Sequence, residues 1–128
     1  MKTAAQVVVI GGGVVGCSVL YHLTKLGWTD VMLVERSELT SGSTWHAAGG
    51  FHTLNADTNM AALQGYTIRL YRELEELTGM SCGLHHVGGV TLADTPERMD
   101  FLTAERAKHR YMGLETELVT PDEIRKLS

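Results

Sequence analysis

The sequence is poor in proline, cysteine and aromatic residues. Two of its 128 residues are proline, two are cysteine, and 6% are Phe, Trp or Tyr. Cys17 and Cys82 are too few for a disulfide framework, and neither belongs to a C-x-x-C ligand pattern. A disulfide-stapled secreted domain is therefore excluded, and we predict two reduced, half-buried thiols in a reducing compartment.

An excess of basic charge is also lacking. Fifteen acidic residues against eleven basic ones give a formal charge of -4, so neither nucleic acid nor an anionic membrane surface is expected as the main partner. No apolar run approaches the roughly 20 residues of a membrane-spanning helix. No signal or transit-like segment precedes the first apolar run, which begins at Val7. We expect a cytoplasmic protein, or a mitochondrial matrix protein if the chain is a eukaryotic mature form.

Metal-ligand spacing is absent from the histidines. The six are His22, His46, His52, His85, His86 and His109. None forms an H-x-x-x-H or Cys/His pattern, and neighbours such as His85 and His86 in an extended segment point to opposite faces. The sequence predicts no metal site.

Glycine, in contrast, is abundant and clustered, with three of the fourteen in a row at residues 11–13. The β-branched run at residues 6–10 precedes this cluster and predicts a buried strand. Apolar residues at three- and four-residue intervals over residues 14–26 predict a helix that Gly27 ends. A second apolar run at residues 31–34 predicts another strand. Strand, glycine turn, helix and strand make a βαβ unit, so the fold class is α/β.

The rest of the chain predicts further elements. Residues 35–51 indicate a hydroxyl-rich loop that leads into a short helix, and residues 60–77 an amphipathic helix that ends at Gly79. Residues 87–93 alternate as in a strand of an antiparallel region, residues 96–112 indicate a helix, and residues 117–119 a short strand. Thr120 and Glu123 form a capping box before a last helix. Because that helix reaches only Ser128, we expect a truncated chain and an incomplete fold.

The pattern Gly11-x-Gly13-x-x-Gly16 lies between the first strand and the helix, which is the setting of a dinucleotide-binding turn. The helix N-terminus would offer amide N–H groups to phosphates. Glu35 ends the second strand, where a carboxylate can accept hydrogen bonds from ribose hydroxyls. A carboxylate there disfavours the 2′-phosphate of NADP unless Arg36 takes over its role. To this point FAD and NAD fit equally.

A second segment, residues 38–50, favours FAD. The flavin ring extends beyond the pyrophosphate, so a further small, hydroxyl-rich loop has to cover the phosphates and run beside the ring. Ser41, Ser43 and Thr44 can supply hydroxyls and amides, and small residues such as Ala48 and Gly49 keep the backbone close to a flat ring. His46 lies between them, and a neutral imidazole is a nucleophile able to attack an activated ring methyl.

These motifs resemble one family. The run T-S-G-S-T-W-H-A-A-G at residues 40–49 is similar to the flavin-attachment segment of the dimethylglycine and sarcosine dehydrogenases, within the D-amino-acid-oxidase-like (glycine oxidase-like) flavoproteins. The resemblance continues through L-Y-R-E-L-E-E-L-T-G at residues 70–79 and V-G-G-V-T-L-A at residues 87–93. Ser43 and Ala47 fit dimethylglycine dehydrogenases better than sarcosine dehydrogenases.

The resemblance implies a Rossmann-like FAD-binding region over residues 1–50, with residues 51–128 leading to an antiparallel substrate domain. It implies oxidation of an N-methyl amine by hydride transfer to flavin N5, with oxygen or an electron-transfer flavoprotein as acceptor. It also implies FAD bound covalently through His46, and catalytic residues and an optional tetrahydrofolate domain beyond Ser128. The expected cofactor-binding residues are Gly11, Gly13, Val14, Val15, Gly16, Glu35, Arg36, Ser41, Ser43, Thr44, His46, Ala48 and Gly49.

Two other hypotheses stay open from the sequence. One is an NAD-dependent Rossmann dehydrogenase, which leaves residues 41–50 without a role. The other is a non-catalytic fragment or pseudo-enzyme that binds a partner supplying the missing strands.

Overall fold

A computed structural model describes residues 3–127 of the chain. Its elements are β1 (Val7–Ile10), α1 (Val14–Lys25), β2 (Val31–Val34), α2 (Thr58–Thr78), α3 (Pro96–Tyr111) and α4 (Pro121–Leu127). They fall into two compact units that divide between Gly49 and Gly50. The first unit holds both strands and α1, and the second holds the other three helices.

The two strands of the first unit are parallel and in level register. Val7 lies opposite Val31, and Ile10 lies opposite Val34. α1 packs against both strands. The predicted βαβ unit and the α/β fold class are confirmed. Because β1 and β2 end at the same level, the segments that begin at Gly11 and Glu35 leave from one edge of the sheet.

α1 ends close to its predicted C-terminus. The N–H of Leu26 donates to the carbonyl of His22 at 2.9 Å and also to that of Leu23 at 3.2 Å. Gly27 follows with φ +90°, a left-handed conformation that glycine adopts without the steric cost of a side chain. The chain then turns and enters β2.

Side chains and glycine define the helix ends of the second unit. Asp57 and Thr95 cap α2 and α3, each accepting the backbone N–H three residues on, and Gly79 ends α2 with φ +67°. At α4 the N–H of Thr120 donates to Glu123 Oε2 at 2.7 Å, and the N–H of Glu123 donates to Thr120 Oγ1 at 3.3 Å. The predicted capping box is therefore confirmed.

The two strands predicted in this unit are not formed. Residues 87–93 have no strand partner among residues 3–127, and Gly88 has φ +72°, which interrupts an extended backbone. Residues 117–119 are also irregular. The carbonyl of Thr116, just before them, accepts a hydrogen bond from the Arg106 side chain at 3.0 Å, so the segment is tied to α3.

Few side chains are fully buried. Among the described residues, the buried apolar side chains are Ala61 and Leu70, both on α2, whereas Ile10 and Val87 are nearly nine-tenths exposed. Cys17 is half-buried as predicted, but Cys82 is exposed, because it lies in the irregular segment after α2. None of the helices within residues 3–127 combines the length and apolar character needed to cross a bilayer.

Candidate functional site

The turn between β1 and α1 requires glycine at two of its predicted positions. Gly11 has φ +104° and donates its N–H to the carbonyl of Val34 at 2.8 Å. A Cβ at Gly16 would lie 1.8 Å from the carbonyl oxygen of Gly11 and 3.5 Å from Val9 Cγ1. Gly16 thus lets the first turn of α1 lie directly against the turn and the strand.

Gly12, between the motif glycines, is confined as well. It is buried, and a Cβ there would lie 2.5 Å from Leu39 Cδ2 and 3.1 Å from Glu35 Cβ. The spacing Gly-x-Gly leaves this position free, so the motif gave no reason to single it out. The requirement comes from two residues that follow β2.

The Glu35 carboxylate receives hydrogen bonds from two backbone N–H groups. Oε2 accepts from Gly12 at 2.7 Å, and Oε1 accepts from Ser37 at 2.9 Å. The N–H of Gly12, followed by that of Ser37, lowers the pKa of Glu35 below its ordinary value of 4.5. The group is therefore anionic at neutral pH and is oriented by the turn itself.

The second loop begins with Thr40, which lies against the glycine turn. Its N–H donates to the carbonyl of Gly12 at 2.9 Å, and its φ is +65°. A left-handed conformation is unusual for a β-branched residue. Both polar backbone groups of Gly12 are therefore bonded to the segment after β2, one to Glu35 and one to Thr40.

The predicted hydroxyls of the second loop have different partners. Thr44 Oγ1 accepts the N–H of Val14, the first residue of α1, at 2.9 Å. Ser41 Oγ donates to the carbonyl of Glu38 at 2.8 Å, within its own turn. Ser43 is exposed. Thr44 thus caps α1, whereas Gly13, at the N-cap position, has no side chain to do so.

The segment predicted to enter a short helix is instead a succession of tight turns. The N–H groups of Trp45, His46 and Ala47 each bond to the carbonyl three residues earlier. Hydrogen bonds to the third preceding residue have poorer geometry than those of an α-helix, so runs of such turns are usually short. Ala48 and Gly49 follow, both exposed, with Gly49 at φ +72°.

His46 has one ring nitrogen engaged. Nδ1 lies 2.9 Å from the carbonyl oxygen of Gly42. Because a carbonyl only accepts, Nδ1 carries a proton in this contact, which in a neutral imidazole leaves the lone pair on Nε2. The side chain is exposed.

The remaining predicted residues lie at the N-terminus of α1 and the end of β2. The N–H groups of Val15 and Gly16 have no acceptor among residues 3–127. They stand at the positive end of the helix dipole, where phosphate oxygens are bound in many proteins. Arg36 is exposed beside Glu35. Within residues 3–127, no three His, Cys, Asp or Glu side chains converge as metal ligands.

These features fit a dinucleotide. A Cβ at Gly13 would lie 3.1 Å from Thr44 Oγ1, closer than ordinary van der Waals contact, so glycine lets Thr44 approach the start of α1. Amide donors, a backbone without side chains and an anionic residue at the end of β2 all lie in the first unit. The geometry suits FAD and NAD equally.

Comparison with known proteins does separate them. The family described as FAD-dependent oxidoreductases matches residues 6–128. In fold, the chain is similar to an L-proline dehydrogenase from P. horikoshii, with a TM-score of 0.87 and 25% identity, covering 98% of this chain and 33% of the other.

Curated relatives are similar over nearly the whole chain. The rat mitochondrial dimethylglycine dehydrogenase is 43% identical over 98% of this chain and 15% of its own length. The human mitochondrial sarcosine dehydrogenase is 40% identical, and the mouse mitochondrial pyruvate dehydrogenase phosphatase regulatory subunit is 36% identical, each over 99% of this chain and 14% of its own length. The chain therefore spans about one-seventh of the length of these relatives.

Proposed function

Since this chain belongs to the family of FAD-dependent oxidoreductases, we propose that it supplies the FAD-binding part of an enzyme that oxidises an N-methyl amine or amino acid. The family match is to FAD enzymes and therefore disfavours an NAD-dependent dehydrogenase. The observation that carries the proposal is the joining of the two loops at Gly12, beside the free amides of α1. Bound FAD supplies the centre that accepts a hydride from the substrate's methyl carbon.

The pyrophosphate is proposed to lie against the N-terminus of α1. The N–H groups of Val14, Val15 and Gly16 start the helix there, and Gly11 and Gly13 keep side chains away from the approaching phosphates. No basic side chain is needed, because the amides and the helix dipole neutralise part of the phosphate charge.

The residues that follow β2 are proposed to hold the rest of the cofactor. Glu35 accepts hydrogen bonds from the adenosine ribose, with Arg36 beside it. The second loop, through Ser41, Ser43, Thr44, Ala48 and Gly49, covers the phosphates and continues beside the flavin. The support is its position, since Thr44 already touches the N-terminus of α1.

We further propose a covalent bond between the 8α-methyl carbon of FAD and His46. The contact between Nδ1 and Gly42 leaves the lone pair on Nε2, so Nε2 is the nucleophile. Formation of this bond would break one methyl C–H bond, whose proton would be lost together with the imidazole proton. The two electrons of that C–H bond would pass to the flavin and then to oxygen.

Acid precipitation tests the covalent bond. Flavin is expected to stay with the precipitated polypeptide of the full chain and to be released into the supernatant by His46→Ala. His52→Ala is the matched control, because His52 is an exposed histidine six residues away. Flavin in the supernatant of the unmodified protein would show that the linkage is wrong.

The substrate class is proposed from the relatives named for dimethylglycine and sarcosine. Loss of a hydride from the methyl carbon needs the nitrogen lone pair, which stabilises the cation that remains. That product would be captured by water, or by tetrahydrofolate bound in a domain outside residues 1–128. The catalytic residues are likewise expected beyond Ser128, and electrons would pass to oxygen or an electron-transfer flavoprotein.

Anaerobic mixing tests the substrate class. Dimethylglycine or sarcosine is expected to bleach the visible flavin absorbance of the holoprotein. Betaine is the matched control, because its quaternary nitrogen has no lone pair and it should leave the absorbance unchanged. Bleaching by L-proline but by neither methylamine would favour the substrate named for the structural relative.

A second candidate is a regulatory, non-catalytic flavoprotein. It is favoured by the relative named as a regulatory subunit of a phosphatase, which is 36% identical over nearly the whole chain. This candidate predicts bound FAD that no small amine reduces. For location we propose the mitochondrial matrix if the chain is eukaryotic, as the names of these relatives suggest, and the cytoplasm otherwise.

A further inference from the structure

We propose that Glu35 is a positioning residue that holds the glycine turn in its phosphate-binding shape through the N–H of Gly12, in addition to its contact with ribose hydroxyls. The inference rests on FAD as the cofactor of the proposed function. The Glu35 carboxylate would hold the turn before FAD binds. Contact with the bound cofactor is the role already expected for this residue.

The first observation is the pairing of each carboxylate oxygen with a backbone N–H. Oε2 lies 2.7 Å from Gly12 N, and Oε1 lies 2.9 Å from Ser37 N. One donor precedes Glu35 in the sequence and the other follows it, and together the two bonds fix the plane of the carboxylate. Hydrogen bonds to an ionised acceptor are shorter and stronger than neutral ones. The Glu35 side chain therefore bridges the end of β2 and the turn after β1.

The second observation is that further contacts hold the turn at Gly12. The carbonyl of Gly12 accepts from Thr40 at 2.9 Å, and Leu39 covers its Cα. With the Gly12 N–H on Glu35, both peptide groups that flank the Gly12 Cα are hydrogen-bonded to the segment after β2. The amides that follow, from Val15 onward, are then presented together at the start of α1.

The hydrogen bond from the Gly12 N–H to Glu35 also gives the carboxylate and the pyrophosphate different amide donors. The carboxylate occupies this amide, and the pyrophosphate has the amides of Val15 and Gly16, which have no acceptor among the described residues. A preformed arrangement of donors costs less ordering when the ligand binds. Loss of the Glu35 contact should therefore weaken FAD binding even where no ribose hydroxyl is present.

Glu35→Gln is the informative substitution because it keeps the size of the side chain. A glutamine has one oxygen and one NH2 group, whereas both partners of Glu35 are N–H donors. One of the two contacts would place a donor against a donor. Glu38→Gln is the matched control, because it removes the same charge three residues along the chain, and the Glu38 side chain makes no hydrogen bond within residues 3–127.

The first experiment measures the affinity for FAD and for an FAD analogue whose adenosine ribose lacks both hydroxyls. The full chain carries His46→Ala in every arm, so that the cofactor exchanges freely and flavin fluorescence reports binding. Glu35→Gln is expected to raise the Kd about tenfold for both ligands. A rise for FAD that disappears with the analogue would overturn the proposal, because it would show that Glu35 acts through the ribose alone.

The second experiment uses apoprotein and does not depend on FAD. Hydrogen exchange of [15N]glycine-labelled protein is expected to be slower at Gly12 than at Gly42, whose N–H has no acceptor within residues 3–127. Glu35→Gln should speed exchange at Gly12, and Glu38→Gln should not. Equal exchange at Gly12 and Gly42 in the unmodified protein would overturn the proposal without any variant.

The two experiments also separate failure of this inference from failure of the proposed function. If the parent protein binds neither FAD nor the analogue, FAD is the wrong cofactor, and the exchange rates still decide whether Glu35 holds the turn.

Discussion

Thr44 Oγ1 lies 2.9 Å from the backbone nitrogen of Val14, thirty positions earlier in the chain. The first helix of the chain is thus capped by a residue of the second loop, because its own N-cap, Gly13, has no side chain. A glycine at this position leaves space for a ligand but forgoes a local cap. Because Thr44 supplies the cap, position 13 can remain a glycine while α1 is still capped.

Replacing Thr44 should destabilise the apoprotein more than the holoprotein. Thr44→Val keeps the shape but removes the acceptor, which is expected to cost about 1 kcal/mol of unfolding free energy. With FAD bound, phosphate oxygens can accept the Val14 N–H, so the loss should be smaller. Urea denaturation of both forms measures this, with Thr44→Ser as the control that retains the hydroxyl. No loss in the apoprotein would contradict the capping role, and an equal loss in both forms would contradict the transfer of the Val14 N–H to phosphate.

Gly16→Ala should prevent formation of the turn. The added Cβ would lie 1.8 Å from the Gly11 carbonyl oxygen, and backbone must move to accommodate it. We expect a loss above about 3 kcal/mol, well beyond the gain of roughly 1 kcal/mol that alanine brings to a helix. Gly42→Ala is the control, since a Cβ there meets nothing within 4 Å. Retention of normal flavin content by Gly16→Ala would refute this geometry.

Gly12→Ala should weaken FAD binding in a way that Leu39→Ala partly restores. The new Cβ would lie 2.5 Å from Leu39 Cδ2, the end of a flexible side chain. Removing that side chain relieves the closest contact but leaves Glu35 Cβ at 3.1 Å. The double variant should therefore be better than the sum of the single ones by about 1 kcal/mol in flavin affinity. Strict additivity would mean that these two residues do not touch.

Acid should loosen the glycine turn through Glu35. The N–H of Gly12, and next that of Ser37, hold the pKa of this carboxyl below 4.5. A group whose pKa is lower in the folded state stabilises the fold fully above its unfolded pKa and loses that contribution as the pH falls through its folded pKa. The stability difference between the parent and Glu35→Gln should therefore be constant near neutrality and shrink below pH 4.5. A difference that stays constant to lower pH would contradict the assignment.

Much of the first unit was predictable because local signals agree there. A β-branched run, a glycine cluster and a helical period follow one another, and the observed bounds of α1 differ by one residue from the predicted ones. Glu35 was singled out by its place at the end of a strand. These signals are local, or repeat at a known spacing, so a single sequence contains them.

What could not be predicted depends on contacts distant in sequence. Gly12 is confined by Leu39 and Glu35, and no spacing rule describes that contact. The left-handed Thr40 could not be anticipated, because propensity argues against a β-branched residue there. The strand expected at residues 87–93 failed for a related reason. Alternation is necessary for a half-buried strand, but a strand also needs a neighbour to pair with, and Gly88 turns the backbone away.

The level register of the two strands has a consequence for the evolution and engineering of this region. Ile10 and Val34 end opposite each other, so the spacing between the two loops is fixed by the sheet and not by the turn between α1 and β2. Insertions at residues 27–30 should leave cofactor binding intact, as in other surface connections. A single added residue between Glu35 and Thr40 should abolish cofactor binding, because both residues form hydrogen bonds to Gly12. Loop-length tolerance is thus opposite at the two ends of one short strand.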